Sequence, residues 1–552
     1  MAFNNTVDRS AAKESWAPMQ QNNGLGWKDL ATKRIPPGRR RRRNILVVTS
    51  MLLLVALTFA AIRIGTVASG TDDQLQIHIG SQQAAALDLR QSSPISPYLL
   101  GTNVFPKDGT SSFDKYSSGF MHYTPFMSSS LRDMHVKFLR YPGGNWGEDH
   151  VLSYEQLDDF TNMLIQTGSE GMLQAHLSGP VKGQPADLTN DVSTGAKLAG
   201  GWVDYLNNRN SAQRTNKNAP FHPVKFWTVG NEPDLGNRVT KQKYTVDQYV
   251  QIFIQYSKQM HLSDPSIKVF GPEMSQFYGV GAGPFDAKGH PWMDDFLKGV
   301  GAYEKAHPEL GFHLLDGISL HRYPFDNARQ APALLMSSTD EWNYLLPSLQ
   351  TLIKQDLGRY APIAVTEVNT NPGTGSPSRG QAALWWADTL GTLMNQQVEY
   401  VGFFSAADVE QPYPLFIRKS QSLTAMGRVM QVFSHLQHNL VPLSIQREPI
   451  SVYATQDDTH QTVSLLFVNK SPTPQLAQIR SLTRFATVSS WPSLDVHLAG
   501  DSVIVVTLHR GTSGKSEAYS YIAQANDTLD AADVTHTVCG HDTDPLASYI
   551  PC

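Results

Sequence analysis

Cysteine is nearly absent from this chain of 552 residues: Cys539 and Cys552 are the whole supply, both close to the C-terminal end. No Cys/His spacing matches a zinc ligand set, and a disulfide-dense scaffold is excluded. Outside the cytoplasm the two cysteines would pair and tie off the tail. Charge of one sign is also scarce. The net charge of −4 gives no global basic field, which argues against a nucleic-acid partner. There is no internal repeat, no long low-complexity run and no Gly-rich turn after a first strand. Repeat arrays and dinucleotide-binding doubly wound sheets are therefore disfavoured. What remains is a globular composition, 41 % hydrophobic and 17 % charged, in a chain too long for one ordinary core.

The first 43 residues differ from the rest. They are polar, poor in apolar periodicity, and end in five arginines, Arg39 to Arg43. We read 1–43 as a disordered basic tail. Residues 45–62 follow without a single charge, and as a helix they would span about 27 Å, close to the hydrocarbon thickness of a bilayer. Arginines before the run and only Arg63 close behind it place the tail in the cytoplasm and the body outside. The expectation is one transmembrane signal anchor over 44–63, a single-pass protein of the cell membrane with its body extracytoplasmic. Cleavage near Ala68-Ser69-Gly70 would make it secreted instead.

From residue 98 onward, short β-branched or aromatic runs alternate with helical patterns. Candidate strands fall at 98–104, 136–141, 171–177, 225–229, 268–271, 315–320, 363–366 and 400–404. Helical stretches lie between them, as at 158–167, 246–261, 292–306, 344–356 and 381–396. Eight such units predict an α/β protein with a (β/α)8 TIM barrel over 93–435. After residue 435 helical patterns vanish and short strands with turns take over, predicting an accessory β-sandwich over 436–511. Segment 64–92 is a linker with two strand-like pieces that would join that sandwich. Residues 512–552, polar and Asp/Thr-rich, read as a C-terminal tail.

In such a barrel the reacting groups sit just past the C-terminal ends of the strands. Strand 4 ends FWTVGNEPDL, with Asn231 and Glu232; strand 7 ends IAVTEVN, with Glu367. Each acid follows an apolar run, and burying it unpaired in the core would be costly, so the mouth is favoured. Taken alone, Glu232 also fits a surface acid capping a helix and Glu367 an ordinary loop acid. Together they match the pair of carboxyls that flank a glycosidic bond, one attacking the anomeric carbon and one donating the proton. Glu273, closing strand 5 in VFGPE, is a third mouth carboxylate, a substrate contact or a partner for Arg322. Glu148, Asp149 and His150 are adjacent and read as a solvated loop rather than a metal site.

The Asn-Glu-Pro and Val-Thr-Glu segments, in order and on the expected strands, resemble those of clan A retaining glycoside hydrolases. The segment KFLRYPGGNWGEDH at the end of strand 2 is similar to one in family 51 arabinofuranosidases, while GNEPD is closer to enzymes of the family 79 and family 39 type. The resemblance implies Glu232 as acid/base and Glu367 as nucleophile. It implies that Arg140 bonds the nucleophile, that Asn231 holds the sugar 2-OH, and that Asn145 and Trp146 line the subsite. His321 and Tyr323, from SLHRYPF, would lie near the nucleophile, and Asn103 would touch substrate. Strand 8 departs from the pattern: GFFSAAD offers Phe403 and Phe404 where many clan members have Trp. The implied activity is retaining hydrolysis of extracellular poly- or oligosaccharides, arabinofuranosidase-like or glucuronidase-like. No cofactor or metal is required. The alternative is a catalytically inactive, surface-displayed carbohydrate-binding protein.

Overall fold

The computed structural model describes residues 74–539 and Cys552, apart from 81–84, 114–117, 178–190, 239, 325–330, 371–376, 410–411, 418, 444–447, 482–490, 512–514 and 524–529. The expected basic tail and membrane anchor, 1–43 and 44–63, lie outside the described residues. Among the described residues no helix is long and apolar enough to cross a membrane.

Eight parallel strands close into a barrel: β1 (Gly101–Asn103), β2 (Phe138–Tyr141), β3 (Glu170–Ala175), β4 (Phe226–Val229), β5 (Lys268–Met274), β6 (Gly317–Arg322), β7 (Ile363–Val368) and β8 (Tyr400–Phe403). They follow one another round the ring in sequence order, and β8 returns to β1 through Phe403 beside Thr102. The strands are buried on both faces, which explains why they read as apolar runs without alternation. The barrel floor is an aromatic plug of Phe138, Phe226, Phe270 and Tyr400 with Tyr98 packed against it. Tyr98 stacks on Tyr400 with ring centroids 5.1 Å apart. That plug closes one end and leaves the C-terminal ends of the strands as the open one.

The helices between strands carry their own start signals. Ser153, Asp191, Thr245 and Ser378 each cap a helix and close a capping box with the residue three positions on. Each box satisfies two backbone N–H groups that the first turn would leave bare.

The second core is a β-sandwich. One sheet runs Leu494–Leu498, Gln475–Ser481, Gln74–Ile79, Ala85–Asp88, and the other runs Thr535–Cys539, Ser516–Ile522, Ser502–His509, Thr462–Asn469, Ile450–Gln456, Asn439–Val441, Ser93–Pro94. The strands before the barrel thus complete the sandwich after it. Two strands, Ser516–Ile522 and Thr535–Cys539, come from the segment read as a tail. Cys539 and Cys552 are joined as a disulfide, and Cys552 is hydrogen-bonded to Asp495 and His497 on the other sheet.

The larger sheet is buried on both faces. Its inner face packs on the smaller sheet through Val452, Leu465, Phe467 and Val506. Its outer face packs on the barrel helices through Tyr453, Leu466, Val468 and Val505. The helix Arg379–Asn395 meets that face at Gly391, where a Cβ would stand 2.4 Å from the Tyr453 ring. Beside it, Asp388 takes Lys470 Nζ at 3.0 Å and the Tyr453 hydroxyl at 2.7 Å, all buried. Barrel and sandwich share a packed, charge-compensated junction.

Candidate active site

Arg140, at the end of β2, is fully buried at the centre of the barrel mouth. A bare guanidinium there would be prohibitively costly, and four oxygens offset it. Nη1 donates to Glu367 Oε1 and to Asn103 Oδ1, both at 2.8 Å. Nη2 donates to Glu273 Oε2 and to Asn231 Oδ1, both at 2.7 Å. Burial pulls Arg140 toward the neutral form, but Glu273 and Glu367 outweigh it and hold the cation above its ordinary value. One side chain thereby ties together the ends of β1, β2, β4, β5 and β7.

Glu367 ends β7 where the pairing with β6 shifts register between Val365 and Glu367. Such a bulge re-aims a side chain. Besides Arg140, its carboxylate receives the Tyr323 hydroxyl at 2.7 Å on Oε2. Glu232 follows β4 with φ 48, in the left-handed region, and its N–H donates to Glu273 O at 2.8 Å. Glu273 has φ 60, so two successive strand ends turn in the same sparsely populated way.

His321, at the end of β6, joins the acids. Its Nδ1 lies 3.2 Å from Glu232 Oε1 and 3.5 Å from Glu367 Oε2, and its Nε2 lies 3.2 Å from Glu273 Oε2. Burial would drive His321 toward neutrality, but Glu367, Glu232 and Glu273 overcome this and raise it to about 10. Burial likewise opposes ionisation of Glu273, and Arg140 and His321 reverse that, holding its carboxyl at about 2. Tyr323 is pushed well above its ordinary value by burial and by the charge of Glu367, so it donates rather than ionises.

Other residues expected at the site divide. Asn231 is buried, with Oδ1 on Arg140 and Nδ2 donating to Asn145 Oδ1 at 3.2 Å. Asn145 and Trp146 open the short helix Asn145–Asp149 beyond β2; Asn145 is exposed and Trp146 is partly buried against His150. Asn103 requires a correction. It is fully buried, and its Nδ2 donates to Thr366 O and Gly402 O at 2.8 and 3.1 Å. Its polar atoms are consumed by Arg140 and the barrel wall, so it holds the guanidinium rather than substrate.

Gly144 is needed for a similar reason: with φ 72, a Cβ there would lie 2.5 Å from Glu367 Oε1. The backbone presses against the carboxylate itself. Phe403 is buried against Trp386, while Phe404 is half-buried and edge-on to Tyr323.

Two further acids differ from their sequence reading. Glu273 pairs with Arg140 and His321, whereas Arg322 pairs with Glu341 at 2.6 Å. Glu148 is buried rather than solvated, accepting from Gln174 Nε2 at 3.0 Å, and burial lifts its carboxyl to about 8. Gln174 also donates to Gly144 O at 3.0 Å, so Glu148 braces the glycine loop behind Glu367. Neither role is written locally, because each depends on a partner from another strand.

One oxygen each from Glu232 and Glu367 and a ring nitrogen of His321 lie within 4.8 Å of one another. Those donors would suit a metal only if the imidazole offered a lone pair. Both ring nitrogens of His321 already face carboxylate oxygens, Nδ1 on Glu232 and Nε2 on Glu273, so in this arrangement both donate. The trio fits a hydrogen-bonded pair of acids better than a metal centre.

Residues 154–326, which include β3 to β6, match the model of glycoside hydrolase family 44. That stretch includes Glu232 but not Glu367. α-L-Arabinofuranosidase C of Emericella nidulans is 26 % identical over 176 residues, 27 % of this chain and 33 % of that protein. The match thus spans a third of the length of that curated relative. Among solved structures, the family 51 α-L-arabinofuranosidase of Thermotoga petrophila superimposes with a TM-score of 0.58 at 16 % identity, covering 82 % of this chain and 95 % of that one. The family 44 xyloglucanase of Paenibacillus polymyxa gives 0.52 at 14 %, covering 76 % and 97 %. The chain therefore shares its fold with solved structures of family 44 and family 51 glycoside hydrolases.

Proposed function

We propose that this chain is a retaining glycoside hydrolase, with Glu367 as nucleophile and Glu232 as acid/base, acting on extracellular poly- or oligosaccharides. The observation that carries the reading is the approach of the two carboxylates, within 4.8 Å, across the barrel mouth. Retention requires carboxyls about 5–5.5 Å apart, and inversion about 6.5–9.5 Å to admit a water between acid and sugar.

In this mechanism Glu367 Oε2 or Oε1 attacks the anomeric carbon while Glu232 gives its proton to the departing oxygen. Water, deprotonated by Glu232, then releases the glycosyl group from Glu367. Arg140 and Tyr323 keep one oxygen each of Glu367 in place, so the attacking carboxylate is aimed before substrate arrives. Arg140 and His321 supply two positive charges to three carboxylates.

The similarity to arabinofuranosidases and to a xyloglucanase supports a plant-type polysaccharide as substrate. Anchorage through 44–63, with the catalytic body outside the cell, completes the proposal; the cysteine pair supports an oxidising compartment. The anomer formed first tests the mechanism. Proton NMR of the earliest product should show the configuration of the substrate, and initial release of the opposite anomer would reject retention.

A further inference from the structure

Beside Glu232 lies a second feature that the double-displacement chemistry leaves unused. A cleft of about 270 Å³ is lined by Asn145, Asn231, Glu232, Arg238, Lys241 and Lys243, among others. It touches the acid/base and not Glu367, so it occupies the side on which the departing saccharide would sit. Three of the nine lining residues are cations against one acid, Glu232, in a chain whose net charge is −4. The positive potential is local, not a share of a basic surface.

The loop that carries these cations is built. Asn237, buried at its centre, donates its N–H to Gln242 O at 2.8 Å and accepts from Lys241 N at 2.9 Å. Its side chain accepts from Thr240 N at 2.8 Å and donates to the Tyr244 hydroxyl at 2.9 Å. Gly236 has φ 92, and a Cβ there would meet Gln242 O at 2.7 Å. Lys241 is held at φ 62, a conformation that costs a non-glycine residue free energy and persists only where its surroundings impose it.

The cations are differently engaged. Arg238 is oriented by two bonds to Asp149, Nε to Oδ1 at 3.0 Å and Nη2 to Oδ2 at 2.9 Å. Lys243 Nζ donates to Leu235 O at 2.6 Å, which fixes its head across the loop while leaving its charge uncompensated. Among the described residues no carboxylate lies within ion-pair distance of Lys241 or Lys243. Two uncompensated ammonium groups beside a fork already oriented by an acid make a receptor for an anionic oxygen cluster.

We propose that the loop between β4 and the helix Val246–Ser263 is a subsite for a negatively charged group, a uronate carboxylate or a sulfate ester, on the saccharide released from the cleaved bond. The inference rests on the assignment of Glu232 as acid/base. Engagement of the anion draws the departing oxygen toward Glu232. Because Lys241 and Lys243 are exposed, the attraction is screened by salt.

Steady-state kinetics of the full chain on two matched substrate pairs tests this. One pair is a uronate-bearing oligosaccharide and its carboxyl-reduced counterpart; the other is a sulfated oligosaccharide and its desulfated counterpart. The acidic member of at least one pair should show a kcat/KM at least tenfold higher at low ionic strength, and the pair that does so identifies the anion. That ratio should fall toward one in 0.5 M NaCl and in the Lys241→Glu, Lys243→Glu double variant, whose folding is checked by its melting curve. Equal or better turnover of both neutral counterparts overturns the subsite, as does an acidic preference that survives the double substitution. Turnover of neutral aryl glycosides without acidic preference rejects the subsite and spares the hydrolase assignment. Failure to turn over any glycoside rejects both.

Discussion

Arg140 shows what the barrel mouth demands of single residues. It compensates two carboxylates and fixes two asparagines, so its loss would leave Glu273 and Glu367 buried with His321 as their shared counter-charge. Breaking a buried pair of this kind costs about 3–5 kcal/mol. Glu232 has a different burden. General acid catalysis contributes about 10²–10⁴ in rate, and a good leaving group needs less of it. The variant Glu232→Ala should therefore lose on the order of 10²–10⁴ in kcat on natural linkages but far less in the first step on dinitrophenyl glycosides. Added azide should restore turnover of the activated substrate by attacking the glycosyl-enzyme in place of activated water. Leaving-group series with and without azide check this; equal losses on all leaving groups would contradict the acid role.

At this scale the sequence was informative where the chemistry is local. Glu232 and Glu367 each follow an apolar strand, and the rule that mouth residues follow strands singled them out; Arg140, His321 and Tyr323 came from the resemblance of the segments that hold them. Asn103 obeys the same rule yet faces the wall, because β1 is short and lies against Gly402 and Thr366. Glu273 was visible as a mouth acid, but its partner Arg140 is 133 positions away and nothing near Glu273 names it.

Among the elements, the short helix Asn145–Asp149 carries the clearest pH response. Glu148 has a folded value of about 8 against an ordinary 4.5, because burial disfavours its charge. Between those values the native state holds a proton that the unfolded chain has released, so stability falls as pH rises through that window. The full effect is on the order of 3–5 kcal/mol. Glu148→Gln preserves an oxygen for Gln174 and Leu177 and carries no titrating group. Its denaturation midpoint should depend less on pH between 5.5 and 8 than that of the wild type, and it should be the more stable protein at pH 8. Urea unfolding at both pH values measures this; identical pH slopes would contradict it. His321 acts in the same direction over 6.5 to about 10, so some slope remains. The sequence concealed Glu148 because Asp149 and His150 beside it look solvated, and burial arises only when Gln174 from β3 arrives.

Element order was the most legible property of the chain. Eight apolar runs with helical intervals correspond to eight strands, because parallel strands buried on both faces must be apolar throughout. The strands Ser516–Ile522 and Thr535–Cys539 escaped notice for the opposite reason. Thr535–Cys539 is the edge strand and Ser516–Ile522 lies next to it; both have polar, partly exposed faces, and their composition resembles a loop.

For the molecule as a whole, the disulfide closes the sandwich. Cys539 ends the edge strand of the larger sheet, and Cys552 is bonded to Asp495 and His497 at the edge of the smaller one. The loop it closes spans 13 positions, for which the chain-entropy account gives about 3 kcal/mol. Mild reduction should lower the melting temperature by several degrees, and a Cys539→Ser, Cys552→Ser variant should melt at the reduced temperature under both conditions. A melt unchanged by reductant would mean that the sheets hold together without the bond.

Glu367 carries the central claim, and trapping it is the most direct measurement. A 2-deoxy-2-fluoro glycoside with an activated leaving group forms the glycosyl-enzyme quickly and releases it slowly. Intact-mass analysis should show one added glycosyl unit, and peptide mapping should locate it on Glu367. An adduct on any other residue, with turnover of the parent glycoside established, would contradict the account.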